Sequence, residues 1–335
     1  MGLTVGQIGA GAVAPWHMQG YVASPHVDRV VLAEPDEQAA AALYDRFGII
    51  KAVEDDYSRL LDSAEISIID ICTPNDLHAE MAIAALEKGL HVICEQPPAT
   101  EMADFDAMVA SADSSNGRLF ICNSQAMIPA NEKTGELIRD GELGEVLLAT
   151  SLVMEEWRER IKEPDDWYGN SKRGGDALMR SGYGAVATLQ RWLGPAVSVS
   201  ATRRRTTDRS DDSVLVNMEM AGGALAQIAI THAASGDAPT HERRIVGTGG
   251  SLLARDDPDD EMPLVTFDQG MFFPLGIHNP PAIREYAMKR LLCHFVECII
   301  NEEEPLVTVE EAGSALRTVL GARESLTTGA CVEML

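Results

Sequence analysis

The chain has 335 residues, of which 45% are hydrophobic, so it is long enough for two domains with separate apolar cores. Acidic residues outnumber basic residues by 52 to 27, which gives a formal net charge of −25. So negative a charge argues against nucleic acid and against anionic membrane surfaces as partners. It still permits an anionic cofactor, because backbone amides and a helix N-terminus bind phosphate groups without help from the net charge.

The six cysteines show neither the spacing of a secreted disulfide framework nor a paired cluster typical of a metal site. Three of them, Cys72, Cys94 and Cys122, each end an apolar segment and are expected to be buried as small hydrophobic side chains. The chain begins with a strand-like segment rather than a targeting sequence, and no segment has the length of a membrane span. These features predict a cytoplasmic protein with reduced cysteines and no metal.

Short apolar segments alternate with amphipathic segments through the first 122 residues. The predicted strands cover residues 3–8, 28–33, 49–53, 66–72, 90–94 and 118–122. The predicted helices cover residues 13–23, 36–46, 76–88 and 101–115. Such alternation, with continuous runs of Val and Ile in the strands, is typical of a doubly wound parallel sheet. Residues 1–122 are therefore predicted to form a Rossmann domain.

The pattern changes after residue 123, which we take as the start of a second domain (residues 123–335). Predicted helices cover residues 130–140, 176–192, 281–301 and 309–328. Predicted strands cover residues 145–154, 196–205, 213–220, 224–232, 242–247 and 251–254. Consecutive strands joined by short turns indicate an open, mostly antiparallel sheet, which makes this an α/β domain.

A glycine-rich turn follows the first strand and opens the first helix. It has the pattern G-x-G-x-x-A, and Gly9, Gly11, Ala12 and Val13 are its candidate cofactor-binding residues. The first glycine permits a tight turn, and the second lets backbone amides approach a pyrophosphate. Glu34 ends the second strand, where a carboxylate accepts hydrogen bonds from the adenosine ribose and repels a 2′-phosphate. The expected cofactor is therefore NAD rather than NADP.

Four further segments resemble the Gfo/Idh/MocA family of sugar and cyclitol oxidoreductases. They are Cys72–His78 (C-T-P-N-D-L-H), Ala85–Pro97 (A-L-E-K-G-L-H-V-I-C-E-Q-P), Ile138–Val146 and Gly247–Ser251. The resemblance extends over nearly the whole chain. It implies a C-terminal domain whose open sheet forms one wall of the active site and an oligomer interface, so a homodimer or homotetramer is expected.

The resemblance also implies roles for individual residues. Thr73, Pro74 and Asn75 are expected along the nicotinamide half of the cofactor, with His78 beginning the next helix beside it. Glu95 and Gln96, with a cis-prone bond before Pro97, are expected at the nicotinamide ribose. For His78 a capping or packing role and a direct chemical role both stay open.

The chain departs from the family at the three positions that move the proton. The family's lysine in E-K-P is Gln96 here, and a carboxamide does not titrate. In the family pattern G-G-G-x-x-x-D-x-G-x-H, the aspartate position holds Arg180 and the histidine position holds Gly184. The ordinary polyol dehydrogenase mechanism therefore does not transfer to this chain.

Three residues remain as candidates for the chemistry. Gln96 can hydrogen-bond a hydroxyl, and Arg180 can bind an anionic group with two N–H donors. Tyr183 lies one residue before the family's histidine position, and one residue turns a helix by about 100°. Its side chain is therefore either a phenolic acid in the site, beside Arg180, or part of the core. The loop 157–173 concentrates basic and aromatic side chains in an acidic protein. It favours a small substrate that is anionic or aromatic.

The leading interpretation is an NAD(H)-dependent oxidoreductase that acts on a small hydroxy or oxo compound, sugar-like or anionic, with proton transfer re-routed through Tyr183, His78 or water. A second is a redox-neutral enzyme that recycles tightly held NAD. A third is a catalytically silent NAD-binding sensor or regulator. The intact cofactor motif is compatible with all three, and the three substitutions favour the last.

Overall fold

A computed structural model describes most of the chain. The described residues are 2–163, 166–206, 211–234, 240–256, 263–268, 271–277, 280 and 282–334. They form two compact units, one of residues 1–124 and 284–310 and the other of residues 125–283 and 311–335. The sequence-based division at residue 122 assigned all later residues to the second domain, whereas the helical segment from residue 284 belongs to the first unit. Phe295 of that segment stacks on Phe120, with ring centroids 5.1 Å apart, and buries both rings.

The first unit contains a six-stranded parallel sheet in the order β3-β2-β1-β4-β5-β6. Its strands are β1 (Leu3–Ile8), β2 (Val27–Ala33), β3 (Ile50–Glu54), β4 (Ile68–Ile71), β5 (His91–Cys94) and β6 (Leu119–Ile121). The helices that follow them in sequence are α1 (Ala14–Ala23), α2 (Glu37–Arg46), α3 (Ser58–Leu61), α4 (His78–Glu87) and α5 (Met102–Asp113). The central strand β4 is buried along its whole length. This order and this burial are those of the predicted Rossmann sheet.

Local chemistry fixes where the helices of the first unit begin. Asp36 caps α2 by accepting hydrogen bonds from the backbone N–H groups of Gln38 and Ala39. Pro15 lies in the first turn of α1, where its missing N–H costs no hydrogen bond. The bounds predicted for α1, α2, α4 and α5 agree with the structure to within two residues, whereas α3 was not predicted.

The second unit contains a sheet of nine strands in the described part of the chain, in the order β14-β13-β12-β11-β7-β10-β9-β8-β15. The strands are β7 (Val146–Met154), β8 (Ala196–Arg204), β9 (Ser213–Met220), β10 (Leu225–Thr231), β11 (Thr240–Gly247), β12 (Ser251–Arg255), β13 (Leu264–Asp268), β14 (Met271–Pro274) and β15 (Val332–Glu333). Only β7 and β10 pair in parallel among these strands, so the predicted open, mostly antiparallel sheet is confirmed. Strands β13, β14 and β15 were missing from the sequence prediction.

The remaining helices are α6 (Pro129–Arg139), α7 (Arg158–Lys162), α8 (Tyr183–Leu193), α9 (Ile283–Asn301) and α10 (Val309–Thr328). One π-helical turn, Leu178–Gly182, leads directly into α8. The sequence predicted a single α-helix over residues 176–192, whereas the structure has a π-turn followed by α8. A π-turn contains one extra residue, which the 3.6-residue period of the sequence pattern does not reveal. Residue 281, the predicted start of α9, lies outside the described residues. Within the described part of the chain, no helix is long and apolar enough to cross a membrane.

Candidate functional site

The glycine-rich turn after β1 brings two loops of the first unit into close contact. Gly9 has a φ of +99°, and a Cβ at this position would lie 2.7 Å from the carbonyl oxygen of Cys72. Both observations require glycine here. Gly11 lies in the same turn, and its carbonyl accepts the first backbone bond of α1, from Ala14. Ala12 and Val13 complete the turn, so all four predicted residues lie around the N-terminus of α1.

Glu34 contacts this turn directly. Its Oε2 accepts a hydrogen bond from the Ala10 N–H at 2.8 Å, and its Oε1 accepts one from the Asp36 N–H at 2.9 Å. The carboxylate is partly exposed at the end of β2. A glycine turn that admits no side chain, with a fixed carboxylate beside it, fits the pyrophosphate and adenosine ribose of a dinucleotide.

The loops after β4 and β5 are tied together by His78. Its Nδ1 lies 2.9 Å from the carbonyl oxygen of Pro97, and its Nε2 lies 2.9 Å from that of Thr73. Burial lowers the pKa of His78, so the ring is neutral at pH 7 and donates to one carbonyl at a time. With both nitrogens facing backbone carbonyls, the ring holds the Thr73-Pro74-Asn75 loop against the Glu95-Gln96-Pro97 loop. The Gln96–Pro97 bond is cis.

A buried ion cluster that sequence reasoning missed lies behind these loops. Nδ1 of His17, on α1, is 2.9 Å from Oδ2 of Asp70, on β4. Nε2 of the same ring is 2.9 Å from Oε1 of Glu95. Burial alone lowers the pKa of His17, yet Asp70 first and Cys72 second raise it well above its ordinary value. The ring is therefore an imidazolium that bridges two carboxylates.

This cluster also orients Gln96. The other oxygen of Glu95 accepts the Gln96 backbone N–H at 2.9 Å, so His17 fixes Glu95 and Glu95 fixes Gln96. Oε1 of Gln96 is buried and has no hydrogen-bond partner among the described residues. With Cys72 or Cys122, His17 also falls into two groups with metal-ligand spacing. Both of its nitrogens already face carboxylates, so we assign no metal there.

Arg180, in the π-turn of the second unit, lies among aromatic rings. Its guanidinium carbon is 3.6 Å from the ring centroid of Tyr168 and 4.6 Å from that of Trp157. Burial lowers the pKa of Arg180 to about 10, which leaves it charged at pH 7. Its Nη1 is buried without a hydrogen-bond partner in the described part of the chain.

The other basic residues of the predicted loop cluster are partly neutralised. Arg160 also stacks on Tyr168, at 3.6 Å, but its Nε donates to Asp166 at 2.7 Å. Arg158 pairs with Glu156 at 2.7 Å. Two aromatic residues of the cluster predicted over residues 157–173, Trp157 and Tyr168, thus contact a half-buried cation outside that range, Arg180.

Tyr183 requires a correction. It is 1% exposed, and its hydroxyl donates to the carbonyl oxygen of Ala312 at 3.1 Å. The alternative that it packs in the core therefore describes it, and we withdraw it as a proton donor. The physical reason is the π-turn, which ends at Gly182 and shifts the facing of the residues that follow.

A second polar cluster surrounds Glu155 at the carboxyl ends of two central strands of the large sheet. Glu155 directly follows β7 and His232 directly follows β10, and the final residues of these parallel strands are paired in register. Oε2 of Glu155 accepts from Ser181 Oγ at 2.7 Å and from Trp157 Nε1 at 3.0 Å, and Nε2 of His241 lies 3.2 Å from Oε1. Ser181 Oγ is also 2.7 Å from Nε2 of His232. Sequence reasoning identified none of these contacts.

The comparisons with known proteins agree with this architecture. Residues 3–122 match the model of an oxidoreductase family with an NAD-binding Rossmann fold, and residues 132–253 match the GFO/IDH/MocA C-terminal domain. The chain belongs to the Gfo/Idh/MocA family of oxidoreductases, as its motifs predicted. Its first unit is an NAD-binding Rossmann domain.

Two of the relatives are named as dehydrogenases. Levoglucosan dehydrogenase of Pseudarthrobacter phenanthrenivorans is 28% identical over 78% of this chain and 75% of the relative. D-xylose 1-dehydrogenase (NADP(+)) 2 of Haloferax volcanii is 29% identical over 93% of each chain. A crystal structure of an oxidoreductase domain protein from Kribbella flavida matches with a TM-score of 0.90 at 25% identity, over all of both chains.

Proposed function

We propose that this protein is an NAD(H)-dependent oxidoreductase for a small sugar-like hydroxy or oxo compound, with a proton route of its own. The observation that carries the proposal is the contact between Glu34 and Ala10, which joins a ribose-binding carboxylate to an intact glycine turn. Relatives that match over most of this chain are named as dehydrogenases of levoglucosan and D-xylose. Bound NAD accepts or supplies a hydride, and a protein group must move the matching proton.

The proposed cofactor-binding residues lie in the turn after β1, at the end of β2, and in the loops after β4 and β5. They are Gly9, Gly11, Ala12, Val13, Glu34, Thr73, Pro74, Asn75, His78, Glu95 and Gln96. Gln96 and Arg180 are the residues proposed to hydrogen-bond the substrate. Gln96 orients a hydroxyl without titrating, and Arg180 offers an N–H donor that lacks a partner among the described residues.

A substrate panel tests this function. Purified protein with NAD⁺ is supplied with levoglucosan, D-xylose, a D-glucoside and D-gluconate, and NADH formation is followed by absorbance. The reverse reaction is followed with NADH and oxo-sugars. Turnover of at least one probe is the expected result. NADH binding without turnover of any probe, measured by calorimetry, contradicts the proposal and favours the NAD-binding sensor.

Glu34 is predicted to set the cofactor preference. In Glu34→Ala the preference for NAD over NADP should fall roughly ten- to hundredfold, because hydrogen bonds to a charged group contribute about 1.5–3 kcal/mol. The measurement is the Kd of each dinucleotide by titration calorimetry. Glu37→Ala, at an exposed position in the first turn of α2, is the matched control and should leave both Kd values unchanged. An unchanged ratio in Glu34→Ala contradicts the ribose role.

We also propose that the protein is a homodimer or homotetramer joined through the large sheet. In the single chain, four leucine side chains on β7, β9 and β10 are exposed to solvent: Leu148, Leu152, Leu215 and Leu225. The sheet register places Leu148 beside Leu225, so the apolar side chains adjoin across strands. Leu152→Asp is expected to shift the mass in analytical ultracentrifugation towards the monomer, while Leu306→Asp, at an exposed leucine outside the sheet, should not. A wild-type protein that sediments as a monomer contradicts this assembly.

A further inference from the structure

Ser181 bridges a carboxylate and an imidazole in the second unit. A serine hydroxyl carries one proton, and an ionised carboxylate can only accept, so Ser181 donates to Glu155 at 2.7 Å. The second short contact, 2.7 Å to Nε2 of His232, must then be a hydrogen bond donated by the ring. These two bonds assign the Nε2–H tautomer to His232, with a lone pair on Nδ1.

Two buried polar atoms in this cluster have no partner among the described residues. They are Nδ1 of His232, an acceptor, and Nη1 of Arg180, a donor. Ser181, which is 2.7 Å from His232, directly follows Arg180 in the chain, so both groups belong to one cluster. Burial first and Arg180 second lower the pKa of His232 to about 3. A hydroxyl group satisfies both atoms because it accepts from Arg180 and donates to His232. A carboxylate satisfies only Arg180.

We propose that His232, Ser181 and Glu155 form a proton relay that replaces the missing lysine, aspartate and histidine of the family. The inference rests on the proposed function. Bound NAD⁺ would take the hydride of the substrate carbon, and the substrate's hydroxyl proton would move to Nδ1 of His232. The Nε2 proton of His232 moves to Ser181, and the Ser181 proton moves to Oε2 of Glu155. Reduction runs the same steps in reverse, so atoms and charges balance in both directions.

The surroundings of the relay suit this transfer. Burial and Arg180 oppose a charged ring at His232, so the imidazole gains a proton at one nitrogen as it gives one up at the other. Trp157 and His241 also contact the Glu155 carboxylate, which holds the terminal acceptor in place. Substrate contact is assigned to His232, while Ser181 and Glu155 act through it.

The test compares serine variants of the full-length protein, using the sugar probe that the substrate panel shows to be oxidised fastest. Ser181→Ala removes the bridging hydroxyl and is expected to lower kcat by about a hundredfold. KM and the Kd of NAD should change little, and the solvent deuterium isotope effect should change. Ser181→Thr keeps a hydroxyl and should restore most of kcat. Ser151→Ala is the matched control, since it removes a buried serine hydroxyl that has no partner among the described residues.

The outcomes separate the relay from the proposed function. No turnover of any probe by the wild-type protein contradicts the function, and the relay with it. Turnover by the wild type with an unchanged kcat in Ser181→Ala overturns the relay alone. A second, direct readout is nitrogen NMR of protein labelled at histidine, which should show His232 protonated at Nε2 and unprotonated at Nδ1. The opposite tautomer would also overturn the relay.

Discussion

Replacing His17 with alanine is expected to lower the free energy of unfolding by about 3–5 kcal/mol, the usual cost of breaking a buried ion pair on one side. The imidazolium is fully buried between Asp70 and Glu95, at 2.9 Å from each. Its removal leaves two buried carboxylates without their shared cation, and it also adds a cavity in the core of the first unit. Urea unfolding followed by circular dichroism measures the change.

Two comparisons sharpen this measurement. His26→Ala, at a partly exposed position just before β2, should change stability by less than about 0.5 kcal/mol, as surface substitutions usually do. His17→Gln can still donate one hydrogen bond to a carboxylate and should lose less stability than His17→Ala. If His17→Ala unfolds at the same urea concentration as the wild type, the cluster does not stabilise the fold.

The same cluster predicts a pH dependence. Although burial opposes it, the pKa of His17 is raised above its ordinary value of 6.5, mainly by Asp70. A group with a raised pKa in the folded state contributes its full stability below its unfolded pKa and loses it as the pH rises through the folded value. Wild-type stability should therefore fall above about pH 6.5, and the difference from His17→Ala should narrow as the pH rises. A difference that stays constant between pH 6 and pH 10 would contradict the imidazolium assignment.

The sequence predicted most of the fold because its elements carry local signals. The strands of the parallel sheet are mostly apolar segments, and helix α2 shows its capping residue, Asp36. Strands β13 and β14 were missed, and residues 257–262 before them lie outside the described residues. Strand β15 was missed because Val332–Glu333 is only two residues long, too short for a period-2 pattern.

The cofactor residues were predictable and the polar clusters were not, for one physical reason. A glycine turn and a glutamate at a strand end are short local patterns, so they can be identified without knowledge of the tertiary structure. The Glu155 cluster joins the ends of β7 and β10 with the π-turn, and it exists only because those two strands pair in parallel. Since the sequence indicated antiparallel neighbours, nothing in it placed Glu155 beside His232. The His17 cluster could have been predicted from the sequence, because Asp70 and Glu95 lie at the carboxyl ends of adjacent parallel strands.

Replacing Arg180 with methionine is expected to lower kcat/KM roughly ten- to hundredfold, since losing hydrogen bonds from a charged donor to a bound substrate costs about 1.5–3 kcal/mol. Methionine fills the space beside Tyr168 but supplies neither charge nor N–H donor. Arg180→Lys keeps the charge yet should recover little activity. An ammonium group reproduces neither the contact of a planar guanidinium with the Tyr168 ring nor the directions of the guanidinium N–H bonds.

The charge of Arg180 should also be visible at His232, which separates its electrostatic role from a merely structural one. Burial first and Arg180 second lower the pKa of His232 to about 3. In Arg180→Met the burial remains while the repulsive charge is gone, so His232 should titrate at a higher pH than in the wild type. In Arg180→Lys it should remain close to the wild-type value. Nitrogen NMR of labelled histidine across pH 3–7 measures both shifts. An unchanged His232 titration in Arg180→Met would show that the two groups are not coupled, and would remove Arg180 from the proposed substrate site.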